Sequence, residues 1–590
     1  MGLKRILLAG AALGLIGIAA CAYIQTAEEE KTPPFIDPQV LAQNTCSGLK
    51  PENSALGINA GSNPDFSFGA PFALPADVTD HFHYEVSTEF GDAQLWFDTG
   101  LAHMANFNHD EAIAAFRKAQ DIDPNCGMCF WGEGLSFGSN INAPYDAGRG
   151  AAGLVAAKKA ETLRAGGSDL ERALIDALAM RYARSKEGVI EMAGAYADAM
   201  DQVATSYPKD KFILSLAAEA NMDTQPWDYW QAGGTVAKGR TARTLAMLED
   251  AIKLDPDFAP AIHLYIHTTE SSDDPERAEE FADRLMAQSL GVGHLVHMPS
   301  HIYLRLGRWQ KSHDANVAAI AADEAYIAGS ENAGFYGGVY YPHNVHFVVA
   351  SSQYAGDAET ALEMAEKLDA LVKIDPGVPN PLAEHIAAST IFTKLLYAGD
   401  RAVDNIKEPA AAHLYLRTAW YYARGTSFVR QGNIPWAEAE LKKLKAIAEA
   451  PGFSDYDDVF LAPLAGVLDV ARLTLEGRIF AERGDMVAAI KRLEAATEAE
   501  RKLPYFEPTW WYYPTRQTLG AMLLKDGQFE KAEKAFFQTL IDAPNNAYAL
   551  HGLAEAYKAQ GDSESEAYAR QLFDKAWLGK AGDVPDLSQL

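Results

Sequence analysis

Two short stretches of this chain carry paired imidazoles. His263 and His267 stand four residues apart in HLYIHTTE, His297 and His301 stand four apart in HMPSHIYL, and the second pair follows the first by 34 residues. Side chains four apart on a helix share a face, with Cβ atoms about 6 Å apart. Neutral imidazole is a preferred ligand for zinc, copper, iron and nickel, and pairs on helices packed about 8–10 Å apart can converge on one ion. Glu270, near the end of the first stretch, is a candidate carboxylate partner, and His343 and His346 in YYPHNVHF extend the series to six candidate ligands. The competing reading makes these histidines core or surface residues that satisfy neighbouring backbone groups. Pro299 bears on the geometry, because inside a helix it removes a hydrogen bond and clashes with the preceding turn. A helix starting at Met298, with Pro299 in its first turn, leaves His297 in the approach.

A second candidate lies in NCGMCFWGEG, where Cys126 and Cys129 form a C-x-x-C pair. Zinc sites built on cysteine generally need a second such pair, and without a histidine directly after Cys129 the c-type haem reading falls away. A local disulfide or a pair of buried small residues is one account of the two cysteines. A soft, copper-type site is another, if His103, His109 and Met128 turn toward the thiols. GSNINAP, from Gly138 to Pro144, reads as a turn satisfying its own backbone. The aromatic runs at 227–230 and 510–513 read as interhelical filling before they read as sugar platforms. Neither G-x-S-x-G nor a Walker loop, a Rossmann glycine fingerprint or H-E-x-x-H is present, so the sequence names no reaction.

Charge narrows the partners. Lys and Arg total 51 against 80 Asp and Glu, a net charge of −29, and so acidic a surface repels nucleic-acid phosphates and anionic headgroups. The N-terminus has Lys4 and Arg5, then an apolar run from Ile6 to Ala20 that is short for a membrane span. Ile18-Ala19-Ala20-Cys21 resembles a bacterial lipobox, a resemblance that implies lipidation of Cys21. With Ala22 next to it, it also implies a periplasmic protein anchored to the outer membrane.

These residues need elements to hold them. Residues 1–21 read as signal and anchor, and 22–90, rich in Pro, Gly, Asn and Ser, as an extended lead-in. From Gly91 the periodicity is helical almost throughout. In WFDTGLAHMANFNHDEAIAAFRKAQDIDP, the positions Trp96, Gly100, His103, Ala112, Phe116, Ala119 and Pro124 carry the spacing of the tetratricopeptide motif, and the register returns around Gly307, Gly356, Gly432, Gly484, Gly527 and Gly561. The chain resembles the tetratricopeptide (TPR) family, which implies an all-α superhelix of stacked helical hairpins, an α-solenoid. Strings such as CGMCFWGEGLSFGSNINAP, HLVHMPSHIY and WWYYPTRQTLGAMLL further resemble exported bacterial TPR proteins. The expected layout is an N-terminal array over 91–323 with a degenerate stretch at 138–240, a long loop at 324–341, and a C-terminal array over 342–590.

With repeats starting at Ala259, Gly293 and Pro342, His263, His297 and His346 take the fifth place and His267 and His301 the ninth. In the family these places face the concave groove. The resemblance therefore implies a scaffold that binds a protein or peptide in that groove. The alternative is a metalloprotein, with zinc, copper or iron among the groove histidines and catalysis at an open coordination position.

Overall fold

The computed structural model describes residues 66–456, 462–582 and 584–589; the signal segment and Cys21 lie outside them. Among the described residues the chain is helix upon helix, and the only sheet is a two-stranded ribbon, Tyr182–Arg184 paired antiparallel with Val189–Glu191. No described helix is long and apolar enough to cross a membrane. Contacts divide the chain into two units, one of residues 58–351 with 366–373, the other mainly of residues 374–590.

The hairpin logic is plainest at its first occurrence. Helices Gly91–Ala105 and His109–Ile122 pack together, and the Phe116 ring lies so close to Gly100 and to Gly132 of the next helix that a Cβ at either glycine would approach it within 2.7 Å. A large ring thus fills a socket that only residues without side chains leave open. In the second unit Phe536 sits in the same way against Gly520 and Gly552. Between the helices of the hairpins the chain reverses through a left-handed residue: Gly307, Gly356, Gly432, Gly484, Gly527 and Gly561 have φ between +63° and +81°. Glycine takes that conformation without steric cost.

The first unit departs from the expected layout in four places. The lead-in is packed where it is described: Val78, Phe82 and Val86 are buried in the main core, because this stretch carries apolar residues among its turn formers. The degenerate stretch holds helices Ala147–Leu163 and Asp169–Ala179, then the ribbon, fixed by buried Arg181, whose Nε lies 2.6 Å from Glu191. Residues 324–341 are not a long loop. Helix Trp309–Gly329 takes up the beginning of that range and Gly334–Ala355 its end, leaving only residues 330–333 between them, since Tyr326, Tyr336 and Tyr340 bury their rings and outweigh the glycines. Pro342 consequently lies inside a helix rather than at the start of a repeat.

In the second unit, aromatic residues Trp510, Trp511, Tyr512 and Tyr513 are buried with Phe392, Tyr415 and Tyr422, so the run is core filling. Glu384, fully buried, accepts from the Tyr456 hydroxyl at 2.8 Å and from the Tyr415 and Leu416 amides at 3.0 and 3.2 Å, capping the start of helix Leu414–Arg430.

Candidate metal centre

Four helices of the first unit bring the histidines together. Ala259–Thr269 has Pro260 in its first turn, where the missing N–H costs nothing, and it carries His263 and His267 on one face. The next segment breaks where proline requires: Gly293–His297 ends, and Pro299–Arg305 begins with Pro299 at its first position. Gly293 is essential to this placement, because a Cβ there would fall 1.7 Å from Asp323 Oδ1 and 2.9 Å from the Tyr336 hydroxyl, which itself accepts from the His294 amide at 2.7 Å. His343 comes from Gly334–Ala355.

The result is two triads. Ligand atoms of His263, His267 and His294 lie within 4.8 Å of one another, as do those of His297, His301 and His343. Exposure is 1% for His263, His267 and His294, 0% for His297, 3% for His301 and 0% for Glu270, while His343 is half-buried. They do not line an open groove, contrary to the expectation from the repeat register. Desolvation, reinforced by repulsion from neighbouring rings, holds the pKa of His263, His267, His294 and His297 well below the ordinary 6.5. These rings are neutral, the form that ligates a metal.

The hydrogen-bond network also sets the tautomers. Asn316 donates its amide to the Ser312 carbonyl at 2.7 Å, so its Oδ1, 2.6 Å from His297 Nδ1, accepts the imidazole proton there. Glu270 Oε2 lies 2.7 Å from His301 Nδ1, an ion-pair contact rather than a hydrogen bond. With the His297 proton on Nδ1, its Nε2 offers a lone pair to His301 Nε2 at 2.8 Å. In the other triad, Glu270 Oε1 accepts from His267 Nδ1 at 3.1 Å, and His267 Nε2 is buried without a hydrogen-bond partner. His263 Nε2 and His294 Nε2 stand 3.1 Å apart. A carboxylate or amide that orients an imidazole through Nδ1 and leaves Nε2 for the ion is the usual outer support of a histidine–metal bond.

Aromatic rings close over the first triad. Phe107 lies 4.5 Å from His263, 5.3 Å from His294 and 5.9 Å from His267, centroid to centroid, and Trp227 meets His267 edge-on at 5.2 Å. Both residues have positive φ, +55° and +63°. Phe107 occupies the hairpin turn that elsewhere holds glycine, so a left-handed phenylalanine is kept here despite a cost of order 1 kcal/mol. A small cleft of about 80 Å³, lined in part by Phe107, Phe212, Phe258 and His263, borders this triad. Phe347 packs against His297, His301 and His343 at 4.7 to 4.9 Å.

Of the six predicted ligands, five fall in the triads. His346 joins neither; its neighbour Phe347 is the residue that packs against His343. His294 was missed, although its position three residues before His297 marks it as a neighbour on the same turn. The cysteine candidate is not assembled as a metal site. Cys126 and Cys129 are joined as a disulfide, which leaves no thiolate to ligate. His103 bonds the Phe72 carbonyl at 3.1 Å, and His109, whose pKa burial and two arginines lower to about 3, lies 3.2 Å from the Asn140 amide. Asn140 and Ala143 bond each other across GSNINAP, a turn serving its own backbone.

Comparison with known proteins agrees with the repeat. Residues 93–126, the first hairpin, match the family model described as tetratricopeptide repeat. No curated protein matches the sequence. Among solved structures, the chain is similar to the human IFIT1 dimer with m7Gppp-AAAA at 12% identity, over 90% of this chain and 100% of that one, TM-score 0.30. It is also similar to yeast Tom70 at 11% identity, over 82% and 92%, TM-score 0.28, and to the P58(IPK) TPR domain at 16%, over 57% and 93%, TM-score 0.16. Residues 93–126 thus carry a tetratricopeptide repeat, and stacked helical hairpins with phenylalanines seated on paired glycines give the rest of the described chain the matching all-α architecture.

Proposed function

We propose that this protein is a transition-metal-binding TPR protein whose ions are held by His263, His267 and His294 and by His297, His301 and His343. One observation carries the reading: the ligand nitrogens of His263, His267 and His294, all buried, lie within 4.8 Å of one another, and His267 Nε2, whose Nδ1 meets Glu270, has no hydrogen-bond partner of its own. A cation among these nitrogens supplies the missing partner. Imidazole-only ligand sets suit zinc and copper better than magnesium or calcium. Three protein ligands on an ion leave a position open, the arrangement of reactive rather than purely structural sites.

The test is elemental analysis of protein lacking residues 1–21, purified without chelator or histidine tag, beside a His297→Ala/His301→Ala variant. Near-stoichiometric zinc or copper in the parent and a marked loss in the variant support the reading. Absence of metal from the parent, even after reconstitution, refutes it.

Partner binding in the concave groove remains the reading that the scaffold itself favours, with the surface rather than the buried histidines as its contact. Export and lipid anchorage through Cys21 rest on residues 1–21. Labelling with radioactive palmitate that disappears in Cys21→Ala tests them.

A further inference from the structure

Glu270 touches both triads. Its Oε1 lies 3.1 Å from Nδ1 of His267 and its Oε2 lies 2.7 Å from Nδ1 of His301, so one carboxylate sets an oxygen against a ligand of either triad. Rings of opposite triads also stand beside each other without a protein layer between them: His267 and His301 are 5.6 Å apart, His294 and His297 5.9 Å, centroid to centroid. We propose that the two triads are halves of one dinuclear metal centre, and that Glu270 is the positioning residue shared by both ions. This deepens the metal-binding reading and rests on it.

Charge favours the pairing. Glu270 is completely buried, at the end of the Ala259–Thr269 helix, and a buried carboxylate is costly unless positive charge lies close to it. The Arg305 guanidinium bonds the Glu270 backbone carbonyl, and two cations held just beyond the His267 and His301 imidazoles would add positive charge on both sides of the carboxylate. The carboxylate in turn raises the basicity of both ligands. Filling one triad fixes Glu270, and a fixed Glu270 sets His267 or His301 of the other. The two ions are therefore bound as a pair.

The test uses the protein with zinc and with Cu(II) as probes. At one zinc equivalent per chain, native mass spectrometry is expected to show chains with no zinc and chains with two, and few with one. Cu(II)-loaded protein is expected to give the half-field electron paramagnetic resonance of a close pair. Glu270→Gln, which keeps the shape but replaces one acceptor oxygen by a donor, is expected to weaken both ions about 10- to 100-fold with the helical circular dichroism retained. His343→Ala, at the half-buried ligand, provides a second variant in case Glu270→Gln does not fold, and is expected to weaken the ion of the other triad as well. A dominant one-zinc species, no half-field signal, or loss confined to one triad in these variants overturns the pairing and leaves the metal-binding reading intact. Failure to take up either probe overturns that reading and the pairing with it.

Discussion

Replacing Phe107 by glycine sets two effects of known size against each other. Every corresponding turn from Gly307 to Gly561 uses glycine at positive φ, so Phe107→Gly relieves left-handed strain of about 1 kcal/mol. It also removes a ring that is 2% exposed and touches three imidazoles. Truncating a buried phenylalanine typically costs about 3–5 kcal/mol, so the packing loss exceeds the relief and the metal-free protein is expected to lose about 3 kcal/mol locally. The readout is hydrogen exchange resolved by peptide across residues 91–136 and 259–305, with and without zinc, since a chain of two units need not unfold in one step. The water admitted over His263, His267 and His294 is expected to lower zinc affinity at that triad about tenfold, leaving the His297 triad less affected. A variant at least as protected as the parent, with unchanged zinc uptake, would show that the ring contributes neither packing nor shielding and would refute the reasoning.

Three further outcomes follow from the geometry. Gly293→Ala drives a Cβ into Asp323 and the Tyr336 hydroxyl, so it is expected to displace His294 and to lower metal uptake at the first triad, while Gly334→Ala, whose Cβ meets nothing, leaves uptake unchanged; elemental analysis of both variants checks this. In metal-free protein, His263, His267, His294 and His297 titrate in the unfolded chain near 6.5 but only at lower pH when folded, so the unfolded state binds more protons as pH falls. Their contribution is complete above 6.5 and declines below it by up to about 1.4 kcal/mol per histidine per pH unit, which pH-dependent exchange protection of residues 259–305 measures; protection that is flat from pH 7 to 5.5 contradicts it. In the second unit, Glu384→Ala leaves the amides of Tyr415 and Leu416 and the Tyr456 hydroxyl without their acceptor. Urea unfolding is expected to show a loss of about 3 kcal/mol or more, and a loss under 1 kcal/mol would show that the cap is replaceable.

The repeat was legible because its determinants are local and periodic: a glycine where helices cross, a phenylalanine sixteen residues on, as from Gly100 to Phe116 and from Gly520 to Phe536, and a glycine at the turn all read directly from spacing. Histidines at i and i+4 were legible for the same reason, and Pro299 announced the break that the chain makes. What spacing cannot carry is which helix face ends up covered. The repeat register placed the histidines toward the groove, yet Phe107 and Trp227 come from distant turns and close over them. The register itself slipped at Pro342, because glycines and tyrosines between 334 and 341 resemble a loop until their rings find a core. His294 escaped notice because its spacing to His297 is three rather than four, although both spacings share a face. Phe107 carried a readable signal, a bulky residue at a position that the other hairpins reserve for glycine.

The burial of both triads bears on time as well as affinity. An ion seated among side chains that expose 3% or less of their surface, His343 excepted, has no route by which ligands peel away one at a time into water. Its departure requires the aromatic cover or a neighbouring hairpin to open, and such openings are rare excursions from the native state. A chelator added to the loaded protein would therefore compete with an opening rate rather than with a binding constant. Which metal the protein carries would be decided largely while its hairpins close, by whatever ion is present then, and the folded chain would preserve that record.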